Sequence, residues 1–250
     1  ELCATCHAPT VFDSTNHHGH PIESAGAACV ECHMPARTYM QVDDRRDHRF
    51  HVPDPLLSRE IGSPDPCLGC HVDKPHRWAD QKIRTWHPDY TRRNTWSEPL
   101  ARARSLDVAA VDALIEEIDR ESTAPIIRAT LLQQLSEMQT RRSLTTAQRF
   151  IADKEPLIRA AAASVMRVVP ATQRSSLLLE SLSDDTRLVR HVAARNLTAS
   201  AIRLRDSELG VVDEYRSALS VSSGQVETQL ALADLALNIG DASGAESHFI

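Results

Sequence analysis

The sequence predicts a mainly α protein, with a loop-rich N-terminal region followed by an α-solenoid of helical hairpins. Two distributions lead to this prediction. All six cysteines and ten of the twelve histidines lie before residue 90, in a stretch that also holds most of the prolines. Beyond residue 99 the chain has no cysteine, and over residues 104–200 its apolar residues recur with the helical period. A composition shift this sharp indicates a domain boundary near residue 99.

The composition excludes several classes of protein. The 250 residues are 42% hydrophobic and 25% charged, which is typical of a folded chain and not of a disordered or collagen-like one. No stretch approaches the roughly 18 apolar residues of a membrane-spanning helix. A formal net charge of -6 excludes the broad basic surface of a nucleic-acid-binding protein. We therefore expect no nucleic-acid partner and no transmembrane segment in this chain.

The cysteines form three C-x-x-C-H motifs, which is the pattern of c-type haem attachment. Their members are Cys3, Cys6 and His7; Cys29, Cys32 and His33; and Cys67, Cys70 and His71. Two thiols at this spacing can each form a thioether with a vinyl group of one porphyrin. The histidine that follows is then placed as an axial ligand of the iron. We therefore expect three covalently attached haem c groups.

Other uses of these cysteines account for less of the pattern. Two C-x-x-C pairs could build a four-cysteine zinc site, but a third pair would be left over. Disulfides give no reason for a histidine after every second cysteine, and a thioredoxin-like motif requires a βαβ context that the sequence lacks. Three haems would also supply the core that a proline-rich region with few aromatics cannot build. Without haem we expect this region to be largely unfolded.

Each haem iron has a second axial position, and more histidines remain than are needed to fill these positions. Two axial imidazoles suit electron transfer, whereas an open position suits catalysis. Met34 follows its own motif directly and would lie on the wrong side of that haem. Met40 could reach an iron, but a packing role is the one we expect. The remaining histidines of the region are His17, His18, His20, His48, His51, His76 and His87. For His18, His51 and His76 a surface or hydrogen-bonding role is an open alternative.

The sequence segments between the motifs resemble those of a known protein family. The chain resembles bacterial multihaem c-type cytochromes related to cytochrome c-554 that carry C-terminal HEAT and tetratricopeptide repeats. The likeness runs in register over residues 1–105, whereas the later repeats match only in kind. It rests on the stretches CATCHAP (3–9), NHHGH (16–20), CVECHMPAR (29–37), TYMQVDDRRDHRFHV (38–52), residues 55–57 and GSPDPCLGCH (62–71).

The resemblance implies distal ligands for the irons. It implies His48 and one or two histidines of the NHHGH stretch, of which we favour His17 and His20. Their three-residue spacing would let them point the same way on a helical turn. Family members also carry an export signal and further motifs upstream. We therefore expect a periplasmic or cell-surface protein, of which this chain is the C-terminal portion.

The chain departs from the family just before the repeats. Family members often have a histidine followed by an aromatic residue there, and this chain has Thr95-Trp96. His87 is the substitute we expect as the third distal ligand, with His76 behind it. A ligand from missing sequence or from a partner chain is a further possibility. If no histidine binds, one haem has an open face.

The second region carries a 31-residue repeat of short helical hairpins. Arg128, Arg159 and Arg190 are spaced by this interval, and each follows an apolar residue at the start of a predicted helix. A fixed period of this length is typical of HEAT-like repeats, in which each hairpin buries its face against the next. We expect these arginines to pair with acidic residues near the turns, at Asp153, Asp184 and Asp185. The small residues 160–163 mark a close helix contact, and His191 lies in the repeat frame and is not expected to be a ligand.

From about residue 208 the pattern resembles partial tetratricopeptide repeats, with a tight turn at Gly240-Asp241. The predicted organisation is a triple-haem cytochrome c domain over 1–99, HEAT-like repeats over 100–205 and partial tetratricopeptide repeats over 206–250. Such repeats present a surface to a partner and seldom carry chemistry.

These features lead to three hypotheses about function. The first is a non-enzymatic electron relay that passes electrons between redox protein partners through closely spaced haems. The second is a multihaem oxidoreductase that acts on a small nitrogen or sulfur species at an open haem. The third is a wiring or scaffold subunit of a larger respiratory or extracellular assembly.

Overall fold

The computed structural model describes residues 2–91, 94–198 and 206–248, with no side-chain description for 206–208. These residues are mainly helical, which confirms the predicted class. The chain divides into two compact units, Glu1–Glu98 and Pro99–Ile250. The domain limit expected at residue 205 lies outside the described residues.

The first unit consists of short helices joined by long loops and one small hairpin. A 3-10 turn over Leu2–Thr5 precedes the first helix, and another covers Ala25–Ala27. The α-helices and strands are α1 (Pro9–Phe12), α2 (Thr15–His18), α3 (Cys29–His33), β1 (Ala36–Tyr39), β2 (Asp43–Arg46), α4 (Pro55–Ile61), α5 (Pro66–Cys70) and α6 (His76–Trp86). The strands pair antiparallel, with Ala36 opposite Arg46 and Tyr39 opposite Asp43.

The first unit has almost no apolar core of its own. Among its described residues, the buried apolar side chains are Ala27, Pro55, Leu57, Ala79 and Ile83. Met40, which we expected to pack, lies at the hairpin turn with 74% of its surface exposed. The expectation that it packs against other residues of the described chain is therefore wrong. Its position follows from the turn itself, where Met40 and Gln41 both have positive φ.

The second unit is an array of longer helices. Its helices are α7 (Ser97–Arg104, which begins at the unit boundary), α8 (Val111–Asp119), α9 (Pro125–Met138), α10 (Arg141–Arg149), α11 (Pro156–Val165), α12 (Ala171–Leu178), α13 (Arg187–Thr198), α14 (Asp206–Ser220), α15 (Val226–Asn238) and α16 (Ala242–Ser247). Two of them, α9 and α11, begin with proline, whose missing N–H costs nothing at that position. No helix within the described ranges is both long and apolar enough to cross a membrane.

The core of the second unit lies where α11 packs between α9 and α13. Leu131, Leu135 and Ile158 are fully buried there. Residues 160–163 are four consecutive alanines, and all of them are buried, which confirms the expected close helix contact. At the far end of the unit, Gly240 has a φ of 85° between α15 and α16, as expected for the turn at that position.

The three repeated arginines form hydrogen bonds and ion pairs that connect successive repeats of the helical unit. Arg159 donates from Nε to Asp184 Oδ2 at 2.7 Å, and from Nη1 to the carbonyl of Asp153 at 2.8 Å. Arg128 lies 3.8 Å from the Asp153 carboxylate, so the predicted pairing is confirmed at both acids. Both pairs are largely shielded from water.

The pairing expected for Asp185 is wrong. Arg190 donates from Nη1 to the backbone carbonyl of Asp185 at 3.1 Å and not to its carboxylate. The carboxylate that pairs with Arg190 is that of Glu214, at 2.6 Å. The physical reason is that α14 brings Glu214 to the position that Asp184 occupies one repeat earlier.

We refer to Arg128, Arg159, Arg190 and their carboxylate partners as the arginine ladder.

We expect the arginine ladder to make the helical unit sensitive to acid. Hydrogen bonds from Arg159 hold the pKa of Asp184 below its usual value of 3.8. A carboxyl whose pKa is lower in the folded chain contributes stability above its unfolded pKa and loses it as the pH falls through the folded pKa. Asp184→Asn should therefore lower the free energy of unfolding by roughly 1–3 kcal/mol near neutral pH. The loss should shrink below about pH 4.

Urea unfolding followed by far-ultraviolet circular dichroism at pH 7 and pH 3 would measure this effect. The matched control is Asp213→Asn, because Asp213 forms an exposed ion pair with Arg216. Equal losses for the two variants at both pH values would contradict the prediction.

Candidate functional site

The three motifs lie on short helical turns of the first unit. The second motif forms α3 and the third forms α5 and the residue that ends it, whereas the first lies on the 3-10 turn over Leu2–Thr5 and the residues after it. All six motif cysteines are free thiols. A helical turn brings a C-x-x-C pair to one side of the backbone, since residues three apart are neighbours on a helix.

Asp65 organises the third motif, and sequence reasoning missed it. Its Oδ1 accepts from the Cys67 N–H at 2.9 Å, which caps α5. Its Oδ2 accepts from His76 Nδ1 at 3.0 Å, and the carboxyl is 2% exposed. Aspartate one residue before a Pro-Cys pair is an N-cap signature that the sequence does contain.

The environment of the thiols differs from that of a redox-active dithiol. Burial, followed by the charge of Asp65, raises the pKa of Cys67 to about 12. Burial also raises the pKa of Cys29 and of Cys32. Thioredoxin-like and other reactive cysteines have lowered pKa values. Cys29, Cys32 and Cys67 are therefore held protonated, without the thiolate character that disulfide exchange requires.

Two motif histidines face histidines of the NHHGH stretch. The ring centroids of His17 and His33 are 6.2 Å apart with an interplanar angle of 17°. Those of His20 and His71 are 6.1 Å apart at 29°. A metal–imidazole bond is about 2 Å long, so two imidazoles on opposite sides of one metal have centroids roughly 6 Å apart. Both separations fit an axial pair.

Hydrogen bonds leave Nε2 available on one member of each pair. His33 Nδ1 donates to the carbonyl of His51 at 2.8 Å, and His20 Nδ1 donates to the carbonyl of His18 at 2.5 Å. An imidazole that donates through Nδ1 keeps its lone pair on Nε2, the arrangement of metal-bound histidines. Burial, together with the nearby His87 and His33, lowers the pKa of His17, which favours the neutral ring that a metal requires.

The expectation that His17 and His20 share one helical turn is wrong. Helix α2 ends at His18, because Gly19 adopts a left-handed conformation with φ of 67°. The reversal turns His20 towards His71 while His17 faces His33. A glycine directly after the histidine pair was the signal for this break.

The remaining histidines lie in different settings. His48 is exposed, and its Nδ1 donates to the Arg46 carbonyl at 2.8 Å, which leaves Nε2 available. His87 uses Nε2 itself, at 2.8 Å from the His17 carbonyl. Among the described residues, His18 Nε2 and His51 Nδ1 are buried without a hydrogen-bond partner. Orphaned buried nitrogens of this kind fit a site that a further group completes.

The first motif has a different neighbour. The ring of His7 packs edge-on against Phe12, with centroids 5.2 Å apart. Phe12 in turn contacts the ring of His17 at 5.4 Å. Within the described part of the chain, the ring of His7 thus contacts a phenylalanine and not a second imidazole.

Apolar surface in the first unit fits a large apolar group. This unit buries few apolar side chains yet leaves many exposed on its short turns and loops. The large exposed ones are Leu2, Val11, Phe12, Ile22, Tyr39, Met40, Val42, Phe50, Val52 and Val72. Porphyrins attached at the three motifs would cover apolar surface of this kind. The residues present therefore fit haem.

A converging cluster of the zinc type is not found. Across residues 2–91, 94–198 and 206–248, no group of three or more histidine, cysteine, aspartate or glutamate side chains is arranged to hold a metal ion. An axial haem site needs only two protein donors for each iron. The absence of a three-donor cluster among the described residues is therefore compatible with the two imidazole pairs.

We expect Gly19→Ala to disturb the segment that holds His17 and His20. A side chain at this positive φ costs roughly 1–2 kcal/mol, and its Cβ would collide with the indole of Trp86. Gly62→Ala is a matched control, because Gly62 has a φ of 68° but open space around it. The difference in free energy of unfolding, followed by tryptophan fluorescence, isolates the Trp86 contact. Equal losses for both variants would contradict the prediction.

Comparisons of the chain with protein-family models, with curated proteins and with solved structures found no match.

Proposed function

We propose that this chain is a multihaem c-type cytochrome that relays electrons between redox proteins. The observation that carries the proposal is that three C-x-x-C-H motifs lie in a unit with almost no apolar core and two matched imidazole pairs. Haem c would supply a one-electron iron couple at each motif. The resemblance to cytochromes related to cytochrome c-554 supports the same conclusion.

The proposed attachment residues are the six motif cysteines, and the proximal ligands are His7, His33 and His71. His17 is the proposed distal ligand opposite His33, and His20 is the one opposite His71. His48 is the proposed distal ligand of the first haem, because its Nε2 is available and the resemblance implies it. Two imidazoles on each iron would give comparatively low potentials.

The neighbouring groups orient these ligands. The His51 carbonyl fixes the ring of His33, and Gly26 lies against the ring of His20, where a Cβ would collide with it. Asp65 holds the start of α5 in place. Each of these groups restricts an imidazole or a motif helix to one arrangement, which keeps the distances between redox centres constant.

The second unit is proposed to dock a partner. The starts of α9, α11 and α13 are 31 residues apart, and α11 packs against both of the others, which supports a solenoid of HEAT-like and tetratricopeptide-like hairpins. Such arrays present an extended face to other proteins. The partners would be redox proteins or other haem subunits of a larger assembly. Because c-type haem is attached outside the cytoplasmic membrane, the protein would be periplasmic or exposed at the cell surface.

The contact between His7 and Phe12 favours a second candidate function. If His48 does not bind the first iron, that haem would have an open face. The chain would then be a multihaem oxidoreductase acting on a small nitrogen or sulfur species. This candidate requires an iron that binds added ligands.

Intact mass and visible spectra of the protein, produced with haem maturation, test both candidates. The electron relay predicts a mass that exceeds the polypeptide by three haems and low-spin spectra that carbon monoxide and cyanide leave unchanged. A high-spin fraction of about one third that binds cyanide would favour the oxidoreductase. A mass without haem would refute both.

A further inference from the structure

His87 lies at the junction of α6 and the loop that follows it. Its backbone N–H donates to the Ile83 carbonyl at 2.8 Å, and its carbonyl accepts from the Tyr90 N–H at 2.9 Å. The residue is half-buried. Both backbone groups of His87 are therefore hydrogen-bonded, which fixes the position from which its side chain projects.

The side chain of His87 contacts one residue of α2 in two ways. Its Nε2 lies 2.8 Å from the carbonyl oxygen of His17. Its ring centroid is 5.3 Å from that of His17, at an interplanar angle of 66°. Helix α2 has a single turn, so its last carbonyls lack partners within the helix. His87 supplies a donor to one of them, although the two residues are seventy positions apart in the chain.

This hydrogen bond determines which ring nitrogen carries the proton. A carbonyl oxygen can only accept, so Nε2 of His87 carries the hydrogen and its lone pair is not available to a metal. His20, His33, His48 and His76 have the opposite arrangement, with Nδ1 directed at an oxygen and Nε2 available.

We propose that His87 is a positioning residue for His17 and is not itself an iron ligand. By donating to the His17 carbonyl and packing edge-on against its ring, His87 holds the His17 imidazole in its near-parallel orientation to His33. This inference rests on the proposed function, because His17 is there the distal ligand of the second haem. It gives His87 a different role from the one that the sequence led us to expect.

Two substitutions separate positioning from ligation. His87→Gln keeps an N–H donor close to the place of Nε2 but cannot replace an iron-bound imidazole. His87→Leu removes the donor at a similar volume. His191→Gln is the control, because it makes the same exchange in the helical unit, where His191 packs against Tyr215. All are made in the full haem-loaded chain.

Low-temperature electron paramagnetic resonance and potentiometric titration give the readouts. We expect every haem to stay low-spin in His87→Gln, because the donor to the His17 carbonyl remains although the ring contact is lost. We expect His191→Gln to match the wild type. We expect His87→Leu to shift the low-spin signal and the midpoint potential of one of the three haems.

Two results would overturn the role of His87. A high-spin signal from about one third of the haem in His87→Gln would identify His87 as a ligand. A spectrum and potentials unchanged in His87→Leu would show that it positions nothing. Absence of haem from the wild-type chain, measured by the pyridine haemochrome assay, would instead refute the proposed function together with this inference.

Discussion

Replacement of all six motif cysteines by serine is expected to unfold residues 2–91 while the helical unit stays folded. The reason lies in the difference between the two cores. Ordering a residue costs about 1–2 kcal/mol of backbone entropy, and burial of apolar surface must offset it. Among its described apolar side chains, the first unit buries Ala27, Pro55, Leu57, Ala79 and Ile83. Without haem, this burial is far too small.

Hydrogen–deuterium exchange followed by mass spectrometry would measure the effect by segment. We expect amides of residues 2–91 to exchange within seconds in the six-serine chain and those of α9, α11 and α13 to stay protected. Cys67→Ser alone is the control, because one remaining thioether at Cys70 keeps the haem attached. Slow exchange in residues 2–91 of the haem-free chain would contradict the expected dependence on haem.

Arg174→Met is expected to have the largest effect of any single substitution in the helical unit. The guanidinium of Arg174 is buried and donates to the backbone carbonyls of Arg167 at 2.7 Å, Val169 at 2.9 Å and Asn196 at 2.9 Å. Arg174 lies in α12, so these bonds join α12 to α13 and to the 3-10 turn Met166–Val168 and the residue that ends it. Methionine would leave the carbonyls without these donors, and the loss of a buried charged group that bonds to several partners costs about 3–5 kcal/mol.

Chemical unfolding followed by far-ultraviolet circular dichroism would measure this loss. The matched control is Arg216→Met, because Arg216 is exposed and forms an ion pair with Asp213 on its own helix. Exposed pairs of this kind contribute about 0.3–0.5 kcal/mol. A loss for Arg174→Met as small as that of the control would show that the three carbonyls find water or other donors.

The helical unit was predictable because its pattern is strong. The 31-residue period placed Arg128, Arg159 and Arg190 at equivalent positions, and the ladder follows from that period. The partner of Arg190 could not be predicted, since Glu214 lies beyond the last clear repeat. Its identity depends on how α14 packs against α13, which the period does not specify.

The hairpin of β1 and β2 was not predicted. The sequence of these strands does not alternate between apolar and polar residues, and nearly all of their side chains are exposed. Its turn also places Met40 and Gln41 at positive φ, where glycine or asparagine is usual. Both usual signals of a hairpin are therefore absent from the sequence.

The candidate site was predictable in its residue types but not in its pairing. Motif spacing identified the cysteines and proximal histidines as candidates. The pairing of His17 with His33 and of His20 with His71 depends on the left-handed Gly19, which separates two residues that a continuous helix would align. Asp65 and the His51 carbonyl act through contacts between segments distant in sequence, and spacing alone cannot reveal such contacts.

The arginine ladder also defines how the chain can change length. Arg159 and Arg190 each donate to a carbonyl in the turn before their own helix, and Arg128 donates to the Ile118 carbonyl near the end of α8. Each also pairs with a carboxylate about 25 residues onwards, so every link joins neighbouring repeats. Removal of 31 residues between equivalent positions would join one arginine to the acid of a later repeat and restore the same contacts. Removal of any other number would break a link and misalign the buried helix faces. Tolerated insertions and deletions in this region should therefore come in whole repeats.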